Sequence, residues 1–299
     1  EMSVVVKHSQ RQYDPFFAHH MRREERALDL LARFEPGLAP QCYGMLLDAT
    51  AQGWLLMEDV GDVSLARSLE TSPPSTAEDM FNQAAELTRR LHALLRAHRL
   101  PFYRTCFAVE LDRLTSETLE QRYRVAWRRL SELVHREARP SRSLTDAWRS
   151  ACAELLAVPR QVIHNSLSPL NIVVRHDQRL CVVDWETMTV GPAWLDWAEL
   201  LRQPFYPLTW DTTESLASVS GEGRRVLSIA AVLRDLDYAG SNARQYLALD
   251  SSSPERSAIA RRLVWYCSDV RDLIVDMPRL RPLSELLWAA IDLALESPH

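Results

Sequence analysis

Glycine is scarce in this sequence, and no glycine-rich linker divides it. The 299 residues include 8 glycines against 16 prolines, and neither an internal repeat nor a long low-complexity run is present. Domain boundaries must therefore be inferred from motifs. Hydrophobic residues make up 46% of the chain and charged residues 25%, proportions that are typical of a globular protein and exclude a disordered or fibrous one.

The chain also lacks the sequence features of a secreted or membrane protein. Its 5 cysteines are scattered singly without a CxxC pair, and an odd number fits reduced thiols better than a disulfide framework. No stretch approaches the ~20 apolar residues of a membrane-spanning helix, and the first residues lack a signal-peptide pattern. We therefore expect a cytoplasmic protein without a membrane partner.

Positive charge is not in excess either. The 35 basic and 40 acidic residues give a formal net charge of −5, which leaves no electrostatic footprint for DNA or RNA. The arginine-rich stretch at residues 122–129 is a weak argument for such a partner, and on the overall charge we expect no nucleic acid. The sequence does not indicate an oligomeric state.

The spacing of apolar residues predicts the order β, α, β, β for the first part of the chain. A β-branched run at residues 4–6 is followed by a helical pattern over 22–31 that should end before Pro36. Two further apolar runs, 43–47 and 54–57, are separated by a polar stretch, which is a spacing typical of a hairpin.

Beyond residue 61 the pattern is mainly helical. Apolar residues recur every three or four positions, which predicts amphipathic helices, and the same period returns from residue 226 toward the end. Three short apolar runs between these parts predict small strands that carry loops. The predicted helices cover residues 77–97, 111–134 and 144–155, and the predicted strands cover 162–163, 172–174 and 181–183.

The stretch from residue 162 to 172 contains the most informative motif. Kinase-fold enzymes place a histidine, a catalytic aspartate two residues later, an asparagine five residues further on, and then a metal-binding aspartate at the end of a hairpin. His164, Asn171 and Asp184 match this order, and Ser166 stands where the catalytic aspartate is expected.

With these residues the sequence resembles the aminoglycoside phosphotransferase and choline kinase superfamily. Residues 23–28 resemble the family's helix that bears a lysine-pairing glutamate, 55–62 its strand and hinge, and 191–198 its segment after the metal-binding aspartate. The resemblance implies an α+β, two-lobed protein-kinase-like fold. Residues 1–61 would form a small mixed nucleotide-binding lobe, and residues 62–299 a larger, mainly helical lobe for catalysis and acceptor binding.

The resemblance implies a role for each matched residue. Lys7 would contact the nucleotide phosphates, and Glu24 would hold its ammonium group by ion pairing. Asn171 and Asp184 offer the hard oxygen ligands that Mg²⁺ prefers. His164 would brace the catalytic loop without touching the substrate.

The hinge residues Glu58, Asp59 and Val60 complete the implied cofactor site. In the family the backbone of this segment meets the adenine, although the two carboxylates could equally be solvated. The implied cofactors are ATP or GTP together with Mg²⁺, and the implied partners are this nucleotide and a small-molecule acceptor.

Ser166 is the main departure from the family pattern. A serine hydroxyl is neutral and a poor base at neutral pH, and general-base assistance is typically worth ~10²–10⁴ in rate. Three explanations stay open: an inactivating substitution, a natural pseudoenzyme that binds ligands or regulates, and an enzyme whose base comes from elsewhere. The first two cannot be ranked from one sequence.

A second departure is the place of Lys7 almost at the start of the sequence. The two strands and the phosphate-covering loop that ordinarily precede this lysine have no counterpart, so we expect either a missing N-terminal segment or poorly covered phosphates. Neither an activation loop nor an Ala-Pro-Glu segment follows Asp184. We therefore expect an acceptor that is not a protein.

The acceptor itself stays open between aminoglycosides, choline-like amines, sugars and nucleoside antibiotics, so antibiotic resistance is one implied role. Asp269, Asp272 and Asp276 recur at helical spacing and could hold a cationic acceptor. The alternative is a solvated face that Arg271 and Arg279 neutralise. The sequence thus predicts a phosphotransferase onto a small-molecule hydroxyl, impaired by its serine, with an inactive kinase-like binding or regulatory module as the alternative.

Overall fold

A computed structural model of the chain describes residues 3–9, 17–47, 53–107, 114–136, 139–206, 221–250 and 252–296. The chain forms two compact units. The first comprises Glu1–Arg113 and Arg160–Ala217, and the second comprises Leu114–Pro159 and Ser218–His299. The predicted boundary near Gly61 falls inside the first unit and stays a prediction.

The first part of the chain contains both strands and helices, and the elements that follow are mainly helices. None of these helices is long and apolar enough to cross a membrane. In chain order the elements are β1 (Val4–Ser9), α1 (Phe17–Phe34), β2 (Cys42–Leu47), β3 (Gly53–Glu58), α2 (Leu65–Thr71), α3 (Pro74–Ala97), α4 (Arg99–Cys106), α5 (Ser116–Leu133), α6 (Arg142–Ala157), β4 (Arg160–Ile163), β5 (Ile172–Val174), β6 (Leu180–Val182), β7 (Thr189–Pro192), α7 (Trp194–Leu201), α8 (Gly221–Ala248), α9 (Pro254–Ile274) and α10 (Leu283–Leu295).

The first four elements have the predicted order β, α, β, β, and the turn of the predicted hairpin lies outside the described residues. The strands form an antiparallel sheet in the order β1, β3, β2. Lys7 pairs with Leu55 across β1 and β3, so both side chains lie on the same face of the sheet. Leu55 is fully buried and α1 packs against β2 and β3. The strand therefore presents Lys7 on the covered face.

Two small antiparallel pairs, β4 with β7 and β5 with β6, carry the loops of the first unit. The predicted strands correspond to β4, β5 and β6, although β6 ends at Val182. Helices α2 and α4 and strand β7 are not predicted by the sequence pattern. The helices have only 7 and 8 residues, too few for a clear period, and β7 contains Gly191 and Pro192, which are depleted in strands.

Helix α8 is the central helix of the second unit and packs against α5, α6 and α9. Tyr123 of α5 stacks on Trp148 of α6 with ring centroids 4.3 Å apart, and both side chains are buried. Leu111, at the start of one predicted helix, lies outside the described residues. The helix itself begins at Ser116, because Thr115 and Thr118 form a capping box there.

Helices α5 and α8 approach closely at Gly240, and this contact predicts a destabilising effect of a single methyl group. A Cβ atom on Gly240 would lie 2.6 Å from Cα and 2.9 Å from Cβ of Ala126. Helix propensity alone would make Gly240→Ala stabilising by about 1 kcal/mol. We expect instead a net loss of about 1–3 kcal/mol in the free energy of unfolding, because the helices must move apart.

Urea denaturation of Gly240→Ala against the parent chain measures this effect. Gln245→Ala is the control, since Gln245 is exposed on the same helix and surface changes are usually worth within about 0.5 kcal/mol. A Gly240→Ala variant as stable as the parent would show that the two helices separate without cost.

Candidate functional site

Lys7 lies among three carboxylates in the first unit. Its Nζ is 2.7 Å from Glu24 Oε2, 2.5 Å from Asp184 Oδ1 and 3.1 Å from Glu186 Oε2. Strand β1 carries the lysine, α1 carries Glu24, and the segment after β6 carries the other two. The structure thus brings together the predicted Lys7, Glu24 and Asp184, and it adds Glu186.

The charge of Lys7 is held by this environment. Burial alone would lower the pKa of the Lys7 ammonium group, but the charges of Glu24 and Asp184 outweigh it and raise the pKa above its ordinary value. The side chain is therefore a permanent cation at neutral pH. Lys7 is also the only lysine in the sequence, where arginine supplies every other permanently basic side chain.

The three carboxylates form one acidic cluster. Ligand oxygens of Glu24, Asp184 and Glu186 all lie within 4.8 Å of one another. Glu24 is 1% exposed, whereas Asp184 and Glu186 remain 35% and 27% exposed and so can be reached from solvent. Glu186 is not among the residues that the motif predicts, and its one signal in the sequence is its position two residues after Asp184.

Asp184 is held in an unusual backbone conformation. Its φ of 66° and ψ of 57° place it in the left-handed region, and a 3-10 turn from Trp185 to Thr187 follows. The Trp185 backbone N–H donates to Glu24 Oε1 at 3.2 Å, and the Trp185 indole N–H donates to the Val182 carbonyl at 2.9 Å. These bonds hold the residue after Asp184 against α1 and the end of β6.

The positions predicted for the catalytic loop lie beside this turn. Asn171 Nδ2 donates to the Ser166 carbonyl at 2.8 Å and to Ser166 Oγ at 3.1 Å. The Val183 backbone N–H donates to the Asn171 carbonyl at 2.9 Å, which places Asn171 next to the strand end that precedes Asp184. Because Nδ2 points at Ser166, Oδ1 is the Asn171 side-chain atom suited to bind a cation.

Carboxylate and amide oxygens of this kind fit Mg²⁺, which is bound through one or two carboxylates together with phosphate oxygens and water. Asp184 and Asn171 would hold the ion, and Glu186 is near enough to Asp184 to join them. This donor set contains no sulfur or imidazole, so it does not suit zinc.

His164 holds the loop that it begins in place through a hydrogen bond to the Val183 carbonyl. Its Nε2 lies 2.9 Å from the Val183 carbonyl oxygen, which can only accept, so Nε2 carries the proton. The side chain is fully buried, and this burial lowers the pKa of His164 below its ordinary value. The imidazole is therefore neutral and structural in this position, and it ties the loop that begins at His164 to the residue after β6.

Asp196 of α7 is a residue that the sequence motif alone did not single out as part of the site. It is fully buried and accepts the backbone N–H groups of His164 at 3.0 Å and Asn165 at 2.7 Å. His92 Nε2 of α3 is 2.9 Å from the same carboxylate. Asn165 has a φ of 67°, so the carboxylate fixes the loop at its left-handed residue.

The carboxylates of the predicted hinge are engaged by the protein itself. Glu58 accepts from the Arg175 guanidinium and from the Gln41 backbone N–H. Asp59 accepts from Ser3 Oγ at 2.6 Å and from the Gly61 backbone N–H at 3.1 Å, and these bonds lower the pKa of Asp59.

Val60 is buried against Val173 and Cys181. The hinge side chains therefore serve the fold, and the contact of the hinge backbone with a purine stays a prediction.

The three candidate acceptor aspartates do not form one helical face. Asp269 is buried and Asp272 is exposed on α9, while Asp276 lies beyond the end of this helix at Ile274. The prediction that one helical face carries all three aspartates is therefore wrong. Helix α9 ends before Asp276 because Pro278 prevents the helix from continuing through this segment. A role of these residues in acceptor binding stays a prediction.

Comparison with known proteins gives a family match and related folds. The sequence matches the family model described as "Phosphotransferase enzyme family" over residues 4–237. A search of the curated proteins finds no match.

Several solved structures share the fold. The choline kinase LicA from Streptococcus pneumoniae is 17% identical with a TM-score of 0.55, covering 91% of this chain and 87% of its own. A choline/ethanolamine kinase family protein from Mesorhizobium loti is 15% identical with a TM-score of 0.56, covering 97% and 87%. Wild-type aminoglycoside 2'-phosphotransferase-IIIa in its GDP complex is 16% identical with a TM-score of 0.56, covering 85% and 83%. The predicted two-lobed kinase-like α+β fold, with its smaller sheet-containing N-terminal part and larger helical C-terminal part, is confirmed.

Proposed function

The chain belongs to the phosphotransferase enzyme family, and on this premise we propose that it binds ATP or GTP with Mg²⁺ and transfers a phosphate to a small-molecule hydroxyl group. Phosphoryl transfer requires that charged phosphates be held in line and neutralised. The observation that carries the proposal is the cation Lys7, held between Glu24 and Asp184.

Each residue of the site has a task in this proposal. Lys7 contacts the nucleotide phosphates, and the buried Glu24 keeps its ammonium group in place. Asp184 and Asn171 hold Mg²⁺, which when bound neutralises charge on the transferred phosphate. The fully buried Asp196 and His164 keep the loop that carries Ser166 in position.

Ser166 limits the reaction. Its hydroxyl can accept or donate a hydrogen bond and thereby orient an acceptor alcohol, but it is a poor base at neutral pH. We therefore propose slow transfer by this chain. The acceptor class stays open between aminoglycoside-like antibiotics, choline-like amines and other small alcohols.

An inactive nucleotide-binding module is the second candidate function. Ser166 favours it, because Asn171 already engages the Ser166 hydroxyl at 3.1 Å and no charge is present at this position to take a proton. Such a module keeps nucleotide binding and loses transfer, so binding must be tested separately from turnover.

Lys7→Ala is expected to weaken binding of the Mg²⁺–nucleotide complex by about 10- to 100-fold, because it removes a charge-assisted contact that is typically worth about 1.5–3 kcal/mol. Isothermal titration with ATP and with GTP, each in excess Mg²⁺, measures this. Lys7→Arg is the matched control, since it keeps the charge but not the compact ammonium group.

Thermal denaturation offers an independent readout of the same contact, since a ligand that binds only the folded state stabilises it. We expect Mg²⁺ and ATP to raise the thermal midpoint of the parent chain more than that of Lys7→Ala. Equal nucleotide affinity of Lys7→Ala and the parent chain would contradict the proposed function.

A further inference from the structure

Arg23 is a buried cation on α1 that the proposed reaction does not yet use. It precedes Glu24 in the sequence and is only 4% exposed. Its Nη1 lies 3.0 Å from the Met188 carbonyl oxygen and 3.5 Å from the Glu186 carbonyl oxygen. Two neighbouring residues of one helix therefore contact the segment that follows Asp184.

The backbone that Arg23 contacts is the part of the site that most needs support. Asp184 is a non-glycine residue in the left-handed region, a conformation that costs free energy and persists only where the surroundings hold it. A 3-10 turn from Trp185 to Thr187 follows, with Met188 directly after it, and buried carbonyls in such a segment require donors. Arg23 donates to the carbonyl of Glu186 within the turn and to that of Met188 directly after it.

Helix α1 holds this segment through two neighbouring charged residues, Arg23 and Glu24. Glu24 Oε1 accepts the Trp185 N–H at 3.2 Å, whereas Arg23 donates to the carbonyls of residues 186 and 188. The backbone is thereby hydrogen-bonded to α1 both before Glu186, at Trp185, and after it, at Met188. The Glu186 and Asp184 carboxylates then meet the same ammonium group of Lys7.

We propose that Arg23 is a positioning residue for the cation-binding segment, fixing from α1 the backbone that aims the Asp184 and Glu186 carboxylates at Lys7 and at Mg²⁺. The inference rests on the proposed nucleotide- and Mg²⁺-binding function. A guanidinium group suits this task because it is always charged, and the two N–H groups of Nη1 can serve the two carbonyls.

The test is the Mg²⁺ concentration needed for half-maximal binding of a fluorescent N-methylanthraniloyl ATP, measured with the full chain. Arg23→Met removes the donors and keeps much of the volume, and Arg23→Lys keeps the charge but not the fork. Residues that orient metal ligands typically contribute 10- to 100-fold to metal affinity. We therefore expect Arg23→Met to raise the half-saturating Mg²⁺ concentration by about 10-fold or more, and Arg23→Lys to lie between it and the parent chain.

Phe107→Leu separates positioning from simple packing. The Arg23 guanidinium lies 5.8 Å from the centroid of the buried Phe107 ring, but Phe107 does not supply the hydrogen bonds to residues 186 and 188. We expect Phe107→Leu to lower the thermal midpoint without moving the Mg²⁺ requirement.

Each other outcome would overturn the proposal in a recognisable way. A parent chain that binds no nucleotide at any Mg²⁺ concentration removes the proposed function and this inference together. In the other case the parent chain binds the nucleotide normally while Arg23→Met and Phe107→Leu change the Mg²⁺ requirement equally or not at all. That result would agree with the proposed function but would show that Arg23 contributes only to packing.

Discussion

Replacing Ser166 with aspartate is expected to raise the rate of phosphate transfer by ~10²–10⁴, the usual contribution of a positioned general base. The site already accommodates the change. Asn171 Nδ2 lies 3.1 Å from Ser166 Oγ, and a carboxylate oxygen near that point would accept the same hydrogen bond more strongly. The side chain is only partly buried, so the added charge keeps contact with solvent.

The measurement is nucleotide consumption in excess Mg²⁺, first without an acceptor and then across a panel of aminoglycosides, choline-like amines and nucleosides. The reaction with water needs no knowledge of the acceptor, so it gives a first comparison of the variants. Ser166→Asn is the matched control, because it has nearly the shape of aspartate but cannot take a proton. We expect it to gain nothing.

The possible results distinguish between the explanations for a serine at position 166. Turnover by Ser166→Asp alone would assign the low activity to the missing base. Equal turnover by the parent chain would indicate that the base lies elsewhere. If all variants bind nucleotide and none transfers phosphate to any acceptor or to water, the binding module becomes the better description of this protein.

Asp196→Ala is expected to lower the free energy of unfolding by about 3–5 kcal/mol, because each buried donor left without an acceptor costs about 1–3 kcal/mol. The carboxylate is fully buried and accepts the backbone N–H groups of His164 and Asn165. His92 also loses its partner. Nucleotide binding should fall as well, since the loop that carries Ser166 loses its anchor.

Chemical denaturation of Asp196→Ala measures this loss, and two further variants calibrate it. Asp79→Ala removes an exposed aspartate from α3 and is expected to change stability by no more than about 0.5 kcal/mol. Asp196→Asn keeps the shape and one acceptor oxygen, so it should lie between the parent and Asp196→Ala. A loss under about 1 kcal/mol in Asp196→Ala would mean that the loop finds other acceptors, contrary to this account.

The long amphipathic elements could be predicted from the sequence because their periods are local properties. Helices α1, α3, α5 and α6 follow the three- and four-residue spacing of their apolar residues. The short helices α2 and α4 could not be predicted this way. Asp276 shows the limit of such patterns, since its spacing from Asp269 and Asp272 suits a helix that in fact ends at Ile274.

The site could be predicted in part because the catalytic motif is ordered along the chain. The family resemblance rests on His164, Asn171 and Asp184, whose spacing is legible without coordinates, and the predicted family is confirmed. For Arg23 and Asp196 the resemblance marks only the surrounding segments, residues 23–28 and 191–198. It assigns neither residue a role, and an arginine or aspartate in a helix is ordinarily a surface charge.

What the sequence by itself determined is the order of chemical groups: one lysine after a β-branched strand, then a glutamate on a helix, and much later the motif that lacks its aspartate. What only the tertiary structure decided is which charges meet. Lys7 and Asp184 are 177 positions apart and lie 2.5 Å from each other, and Arg23 reaches carbonyls more than 160 residues away. Local patterns encode helices and strands, whereas the partners of a buried charge depend on how sheet, helix and loop pack, and that packing is a property of the whole unit.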